Sequence, residues 1–128
     1  MTKVKYKRVF LSGPMTGQSC YNVAAFAEAH HRLIELGAAD VYDPAVEYLT
    51  DPDPTHKTHE MYMQRCINEL TRLSDVMALE DDGRLNRWSR SWDVLVSLPG
   101  WEDSEGARVE AEVAKAIGIE VCELEEVE

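Results

Sequence analysis

The sequence predicts an α/β sandwich with a central parallel sheet of four to five strands. Short apolar runs alternate along the chain with stretches whose apolar residues recur at helical spacing. Turns that contain glycine or proline separate the two kinds of segment. A regular succession of strands and helices is typical of proteins in which helices cover a parallel sheet.

Each element follows from a local apolar pattern and from the residues that begin or end it. The predicted elements are, in chain order, a strand at Val9–Leu11, a helix over residues 23–36, a strand at Val41–Tyr42, a helix from His59 or Glu60, a strand at Val94–Leu98, a helix capped by Asp103 or Ser104, and a strand at Ile119–Cys122. Residues 49–58 are rich in proline, aspartate and threonine and predict a loop. Residues 76–79 either extend the second helix or form a strand.

The length and charge of the chain exclude several classes of function. Its 128 residues predict a single domain over residues 1–128, large enough to bury a core. The net charge of −11 argues against binding to a nucleic-acid polymer, although backbone N–H groups can still hold a small phosphorylated ligand. Three scattered cysteines indicate reduced thiols, and no apolar run suits a signal peptide or a membrane span. We therefore expect a cytoplasmic protein without membrane attachment.

Three loops are expected to meet at the edge of the sheet where the parallel strands end. They are Ser12–Tyr21, Asp43–Glu47 and Pro99–Gly106. Ligands of open α/β sheets bind beyond the carboxyl ends of the strands, so these loops predict the site. The string SGPMTG in the first loop can approach a phosphate or a sugar closely, because glycine tolerates tight turns. It serves equally well as an ordinary connection between a strand and a helix.

The string LPGWEDSEGARVEAE at Leu98–Glu112 predicts a strand end, a turn and a helix start. The free N–H groups and the dipole of such a helix start attract anions. Three glutamates, Glu105, Glu110 and Glu112, compete for the role of a working carboxylate. Two residues along a helix correspond to about 200°, so Glu110 and Glu112 point apart and only one can face the strand ends. Each of the three can also be a solvated surface residue.

No metal and no other cofactor is predicted. His56 and His59 are three residues apart, but they lie at the end of a proline-rich loop without a third ligand nearby. Arg84, Arg87 and Arg90 are more typical of a solvated or intersubunit face than of a phosphate clamp.

Several strings of the sequence resemble one family. FLSGPMTG, Tyr21-Asn22, Asp43-Pro44-Ala45 and WDVLVSLPGWEDSEGARVEAEVAKAIG are similar to the DUF4406 family, over roughly Val9 to Val121. That family is similar in turn to the nucleoside 2-deoxyribosyltransferases and the deoxynucleoside 5′-monophosphate N-glycosidases. The resemblance implies a flavodoxin-like three-layer sandwich. It also implies cleavage of an N-glycosidic bond, with water or a second base as the acceptor.

The resemblance further implies a role for Glu110. In the transferases a glutamate opens the helix after this loop, with an alanine four residues later and a glycine eight residues later. Glu110, Ala114 and Gly118 match this spacing. Such a glutamate attacks the anomeric carbon and forms a glycosyl ester, which divides one difficult displacement into two easier ones. Ser104, six residues earlier, matches a serine of the monophosphate glycosidases. This match favours hydrolysis of a (deoxy)nucleoside 5′-monophosphate.

Other residues are expected around Glu110. Asp93 matches an aspartate that binds substrate at the start of the preceding strand, with Asp75 as its rival, and residues 76–92 then form an insertion. Phe10 stands where the relatives have a tyrosine that orients the glutamate, so Tyr21 or Tyr42 would supply that hydroxyl. The expected catalytic residues are Glu110, Asp93 and Tyr21, and the expected substrate-binding residues are Ser12, Gly13, Pro14, Met15, Asp43, Trp101, Ser104, Gly106 and Ala107.

Two alternative functions stay open from the sequence. Because Phe10 has no hydroxyl, the same pocket also fits a nucleotide-binding or sensing protein without turnover. The acidic surface also suits a protein that only binds a partner. The resemblance implies a homo-oligomer, a dimer or higher, and the segment with Trp88, Trp92 and the nearby arginines is a candidate for its interface.

Overall fold

The computed structural model describes residues 1–50, 58–73, 78–79, 85–86 and 90–128. The strands are β1 (Arg8–Ser12), β2 (Asp40–Tyr42), β3 (Ala78–Leu79), β4 (Leu85–Asn86), β5 (Val94–Ser97) and β6 (Glu120–Glu123). The helices are α1 (Val23–Glu35), α2 (Ala45–Thr50), α3 (His59–Thr71) and α4 (Glu105–Ala116), with short 3-10 turns at Ser19–Asn22, Trp101–Asp103 and Leu124–Glu126. His56, Asp75, Arg84, Arg87 and Trp88 lie outside the described residues, so the expectations placed on them stay predictions.

Four strands form one parallel sheet in the order β2-β1-β5-β6. The short strands β3 and β4 pair separately and antiparallel. From β1 the chain moves outward to β2 and then returns to the other side of β1, so the strand order reverses between β1 and β5. Ser12 at the end of β1 is in register with Ser97 at the end of β5, which brings the loops that follow these strands side by side.

The strands supply two apolar cores because their side chains alternate between the two faces of the sheet. Val9 and Leu11 of β1 pack with α1, whereas Phe10 between them packs with α3 and α4. The neighbouring β5 divides in the same way, with Leu95 on the side of α3 and α4. The predicted three-layer α/β sandwich, with four strands in its central sheet, is therefore confirmed.

Helix α2 occupies residues for which the sequence predicts only loops, so that prediction is wrong. The carboxylate of Asp43 starts the helix by accepting a hydrogen bond from the N–H of Ala45 at 3.0 Å. The other carboxylate oxygen of Asp43 is 3.2 Å from Nδ1 of His30 on α1. A helix of six residues is too short to display a periodic apolar pattern.

Trp92 does not form part of an exposed interface, contrary to the expectation from the sequence. Its side chain is buried with 4% exposure, and its ring lies 6.2 Å from that of Phe10. The indole N–H donates to the backbone carbonyl of Glu69 on α3 at 3.1 Å. Trp92 therefore joins α3 to the sheet.

The helices within the described ranges differ in length and polarity from a membrane span. None of them is long and apolar enough to cross a bilayer.

Candidate active site

Glu110 is a buried carboxyl group on the face of α4 that packs against the sheet. Ser104 caps the helix, and its hydroxyl accepts a hydrogen bond from the N–H of Ala107 at 3.3 Å. Ala107 and Ala114 lie one turn before and one turn after Glu110, and both are buried. Small side chains at these positions let α4 approach the strands closely. Glu110 is consequently only 6% exposed, whereas Glu112 is exposed.

Two serine hydroxyls lie at the ends of the central strands on the same side of the sheet. Ser12 and Ser97 are paired in register and are 1% and 2% exposed. The alternation along each strand places both on the face that carries Phe10 and Leu95, which α4 covers. Oγ of each serine and Oε2 of Glu110 have no hydrogen-bond partner among the described residues. Polar atoms buried in this way are available to a bound ligand or to water.

Glu110 lines a small chamber between the loop that follows β1, α3 and α4. Its volume is about 40 Å³, which is comparable with one or two water molecules and too small for a sugar. The chamber is lined by Gly13, Met15, Thr16, His59, Tyr62, Met63, Cys66, Ser104, Gly106, Ala107 and Glu110.

A larger cleft lies outside the chamber and is open to solvent. Its volume is about 560 Å³, within the range usual for small-molecule sites. It is lined by Pro14, Thr16, Gln18, Asn22, Ala25, His59, Pro99, Gly100, Asp103, Ser104 and Glu105. Thr16, His59 and Ser104 line both spaces, so they form the boundary between the cleft and the chamber.

The contacts at this boundary are tight. Oγ1 of Thr16 and Nδ1 of His59 are 2.9 Å apart, a hydrogen bond that joins the loop after β1 to the start of α3. A Cβ atom at Gly106 would lie 2.6 Å from Sδ of Met63, so glycine permits α3 to approach the first turn of α4. Because the chamber is too small for a sugar, a sugar reaches Glu110 only after side chains that line the chamber, such as Met63, move.

Burial dominates the electrostatics of Glu110. Desolvation raises its pKa to about 8, because a charged carboxylate loses the favourable hydration it has in water. The nearby Ser12 hydroxyl offsets part of this rise in the pKa. It is close enough to have that effect but makes no hydrogen bond of good geometry in this structure. At pH 7 the protonated form of Glu110 is therefore the major one.

Most of the expected substrate-binding residues lie at the chamber or the cleft. Gly13, Met15, Gly106 and Ala107 line the chamber, and Pro14 lines the cleft. Ser12 lies beside Glu110, and Ser104 lies at the boundary of the two spaces.

Asp93 is not brought to the site, although the sequence places it among the catalytic residues. It precedes β5 and therefore lies at the amino edge of the sheet, whereas Glu110 lies near the carboxyl edge. Its carboxylate accepts hydrogen bonds from the backbone N–H and the guanidinium of Arg8 at 2.9–3.1 Å. Asp93 thus joins β5 to β1 at the end of the sheet remote from the chamber.

Three other expected residues lie apart from the chamber lining. Asp43 caps α2, as described above. Trp101 donates its indole N–H to Glu123 at 3.0 Å and lines a different groove of about 350 Å³. Tyr21 lies outside both linings, but its ring is 6.0 Å from the ring of Tyr62, which does line the chamber.

The two tyrosines expected to supply the hydroxyl that Phe10 lacks, Tyr21 and Tyr42, do not line the chamber. Tyr42 stacks on the Phe10 ring at 4.8 Å and is absent from the chamber lining. Tyr62 on α3 is the tyrosine that lines the chamber with Glu110, and the sequence analysis did not select it.

Sequence reasoning also missed Ser97, Met63 and the position of His59 at the boundary. Ser97 carried one local signal, since it is a polar residue that ends an otherwise apolar strand. The α3 residues carried none, because they reach the site only through the packing of α3 on α4. In the described part of the chain, no group of three or more histidine, cysteine, aspartate or glutamate side chains could hold a metal ion.

The family described as a domain of unknown function, DUF4406, matches residues 7–91 and 86–123. The chain belongs to the DUF4406 family. No curated protein and no solved structure matches this DUF4406 chain.

Proposed function

We propose that this DUF4406 chain cleaves the N-glycosidic bond of a nucleoside or nucleotide and that Glu110 is the nucleophile. The observation that carries the proposal is a buried carboxyl group close to the Ser12 hydroxyl, with the buried hydroxyl of Ser97 in register with Ser12 on the neighbouring strand. They lie where the strand order of a parallel sheet reverses, which is the usual ligand position in such folds. The resemblance of the Glu110 frame to that of the transferases supports the same role.

The reaction proceeds in two balanced steps. Ionised Glu110 forms a bond from a carboxylate oxygen to the anomeric carbon while the bond from that carbon to the base nitrogen breaks. The electron pair of the broken bond goes to the base, which takes one proton from solvent and leaves. Water then attacks the anomeric carbon of the glycosyl ester, the carboxylate is released, and one proton returns to solvent.

The two serines fit a role in binding the sugar. Ser12 and Ser97 present hydroxyl groups that both donate and accept hydrogen bonds, as sugar hydroxyls do. The cleft has the volume for a base and a sugar, and the chamber admits the anomeric carbon once the Met63 side chain moves. The buried surroundings strengthen the attraction between the ionised carboxylate and an oxocarbenium-like carbon.

The direct test uses chromatography to measure the free base released from a panel of nucleosides and their 5′-monophosphates. We expect release by the wild-type protein and a loss of at least a hundredfold in kcat for Glu110→Gln, because the amide cannot form the ester. Glu112→Gln is the matched control, since it removes an exposed charge two residues away and leaves release unchanged. Equal release by wild type and Glu110→Gln would contradict the proposal.

A nucleotide- or nucleoside-binding protein without turnover is the second candidate. Two observations favour it: Glu110 has a pKa of about 8, and the Phe10 ring offers no hydroxyl to orient the carboxylate. This candidate predicts thermal stabilisation by the ligand without release of base. Base release that depends on Glu110 would exclude it.

A further inference from the structure

We infer that the site selects uncharged nucleosides and discriminates against their 5′-phosphorylated forms, because two carboxylates flank a cleft that offers no lysine or arginine in its described lining. This inference rests on the proposed function and specifies its substrate class. The inferred substrate differs from the one expected from the sequence, where the match of Ser104 favours a nucleoside monophosphate.

The lining of the cleft has the wrong charge for a phosphate. Asp103 and Glu105 contribute carboxylates at its edge, and both side chains are exposed. Among the residues that line the cleft in the described ranges, His59 is the sole basic side chain, and its Nδ1 is already bonded to Thr16. A phosphate monoester carries a charge of about −1.5 to −2 at pH 7 and would be repelled by the carboxylates of Asp103 and Glu105.

The acidic residues at the start of α4 weaken the attraction that this helix end has for an anion. An unmodified helix start carries about half a positive charge, which attracts anions. Here Asp103 precedes the helix and Glu105 opens it, so two negative charges already lie at that end. The N–H of Ala107 is also occupied, since it donates to the hydroxyl of Ser104.

The remaining polar groups suit an uncharged sugar and base. Ser12 and Ser97 have buried hydroxyls without partners, and Thr16, Gln18 and Asn22 add neutral polar side chains at the chamber and cleft. Hydroxyl and amide groups exchange hydrogen bonds with a neutral nucleoside without needing to compensate a charge. The selectivity therefore follows from repulsion of phosphate combined with neutral recognition of the rest of the molecule.

The size of the discrimination follows from screened electrostatics. Two carboxylates at roughly 7 Å from a phosphate dianion in aqueous surroundings weaken its binding about fivefold at physiological salt. We therefore expect kcat/KM for a 2′-deoxynucleoside to exceed that of its 5′-monophosphate by at least fivefold. The ratio grows when the salt concentration is lowered, because screening weakens.

The experiment measures base release from four 2′-deoxynucleosides and their four 5′-monophosphates by the wild-type protein, the double variant Asp103→Asn with Glu105→Gln, and Glu112→Gln. The double variant brings the two values of kcat/KM to within about twofold, whereas Glu112→Gln keeps the wild-type ratio. A wild-type preference for monophosphates, or a ratio that the double variant leaves unchanged, would overturn the inference.

A binding measurement separates this inference from the proposed function. Calorimetric titration of Glu110→Gln with each nucleoside and its monophosphate reports recognition without cleavage. If no substrate releases base, the proposed function fails, and tighter binding of nucleosides than of monophosphates still supports the inferred selectivity. Tighter binding of monophosphates, or no binding of either class, overturns it.

Discussion

Replacing Glu110 by glutamine removes an ionisable group from a buried position and preserves the shape of the side chain. Glu110 has a pKa of about 8 in the folded protein because burial disfavours its charged form. In the unfolded chain the same group has its ordinary pKa near 4.3–4.5. Between these two pKa values Glu110 ionises in the unfolded chain but stays protonated in the folded chain. Its ionisation therefore stabilises the unfolded chain and lowers the free energy of unfolding.

The sign and the magnitude follow from this difference. A group whose pKa is raised on folding contributes its full stability below the unfolded value, and that contribution is lost as the pH rises to the folded value. Each pKa unit corresponds to about 1.4 kcal/mol. Relative to the fully protonated state, the wild-type protein loses about 1 kcal/mol at pH 5, about 3 kcal/mol at pH 7 and about 5 kcal/mol at pH 9. Glu110→Gln does not experience this loss.

The assay is urea unfolding at pH 5, 7 and 9, followed by tryptophan fluorescence. We expect the free energy of unfolding of Glu110→Gln, minus that of the wild type, to increase by about 4 kcal/mol from pH 5 to pH 9. Glu112→Gln controls for the general effect of removing a negative charge and changes stability by less than about 0.5 kcal/mol. A difference between Glu110→Gln and wild type that does not change with pH would refute the reasoning.

Three further predictions concern the surroundings of this group. Ser12→Ala removes the hydroxyl that lowers the pKa of Glu110, so the rising limb of the pH profile of kcat/KM should move to higher pH. A rising limb at the wild-type pH would show that Ser12 does not affect the pKa of Glu110. Gly13→Ala places a Cβ atom 2.7 Å from Cβ of Leu98 and should lower the free energy of urea unfolding by about 1–3 kcal/mol; a loss below about 0.5 kcal/mol would show that the close contact relaxes. Partial burial acts to raise the pKa of Asp93, but hydrogen bonds from Arg8 hold this pKa below its ordinary value. Asp93 therefore adds stability that is lost as the pH falls. Unfolding measured from pH 6 to pH 3 should therefore show the difference between wild type and Asp93→Asn shrinking, and a constant difference would count against the ion pair.

The elements of the sheet and the long helices were predictable because their signals are local. The apolar run that ends at Ser12 and the helical spacing after Ser104 each specify one element without knowledge of its neighbours. The position of Glu110 at the carboxyl edge follows from the same rule, since α4 begins directly after the turn that follows β5. Helix α2 was missed because a cap and a packing partner create it, and neither is visible as a periodic pattern.

The candidate site was only partly predictable because several of its members meet through long-range packing. Ser97 comes to lie beside Ser12 through the register of β5 on β1, which the sequence does not encode locally. Tyr62 and Met63 reach the chamber through the contact of α3 with α4. The position of Asp93 away from the site was predictable, since a residue that precedes a parallel strand lies at the amino edge of the sheet, opposite the ligand.

The most direct measurement of the proposed chemistry is peptide mass mapping of the protein after rapid acid quench during turnover of a 2′-deoxynucleoside. A nucleophilic Glu110 predicts a mass increase of one deoxyribosyl unit on the peptide that contains it, present in the wild type and in Glu112→Gln but missing in Glu110→Gln. Release of base with the increment on a different residue, or undiminished release by Glu110→Gln, would contradict the central role assigned to this buried carboxylate.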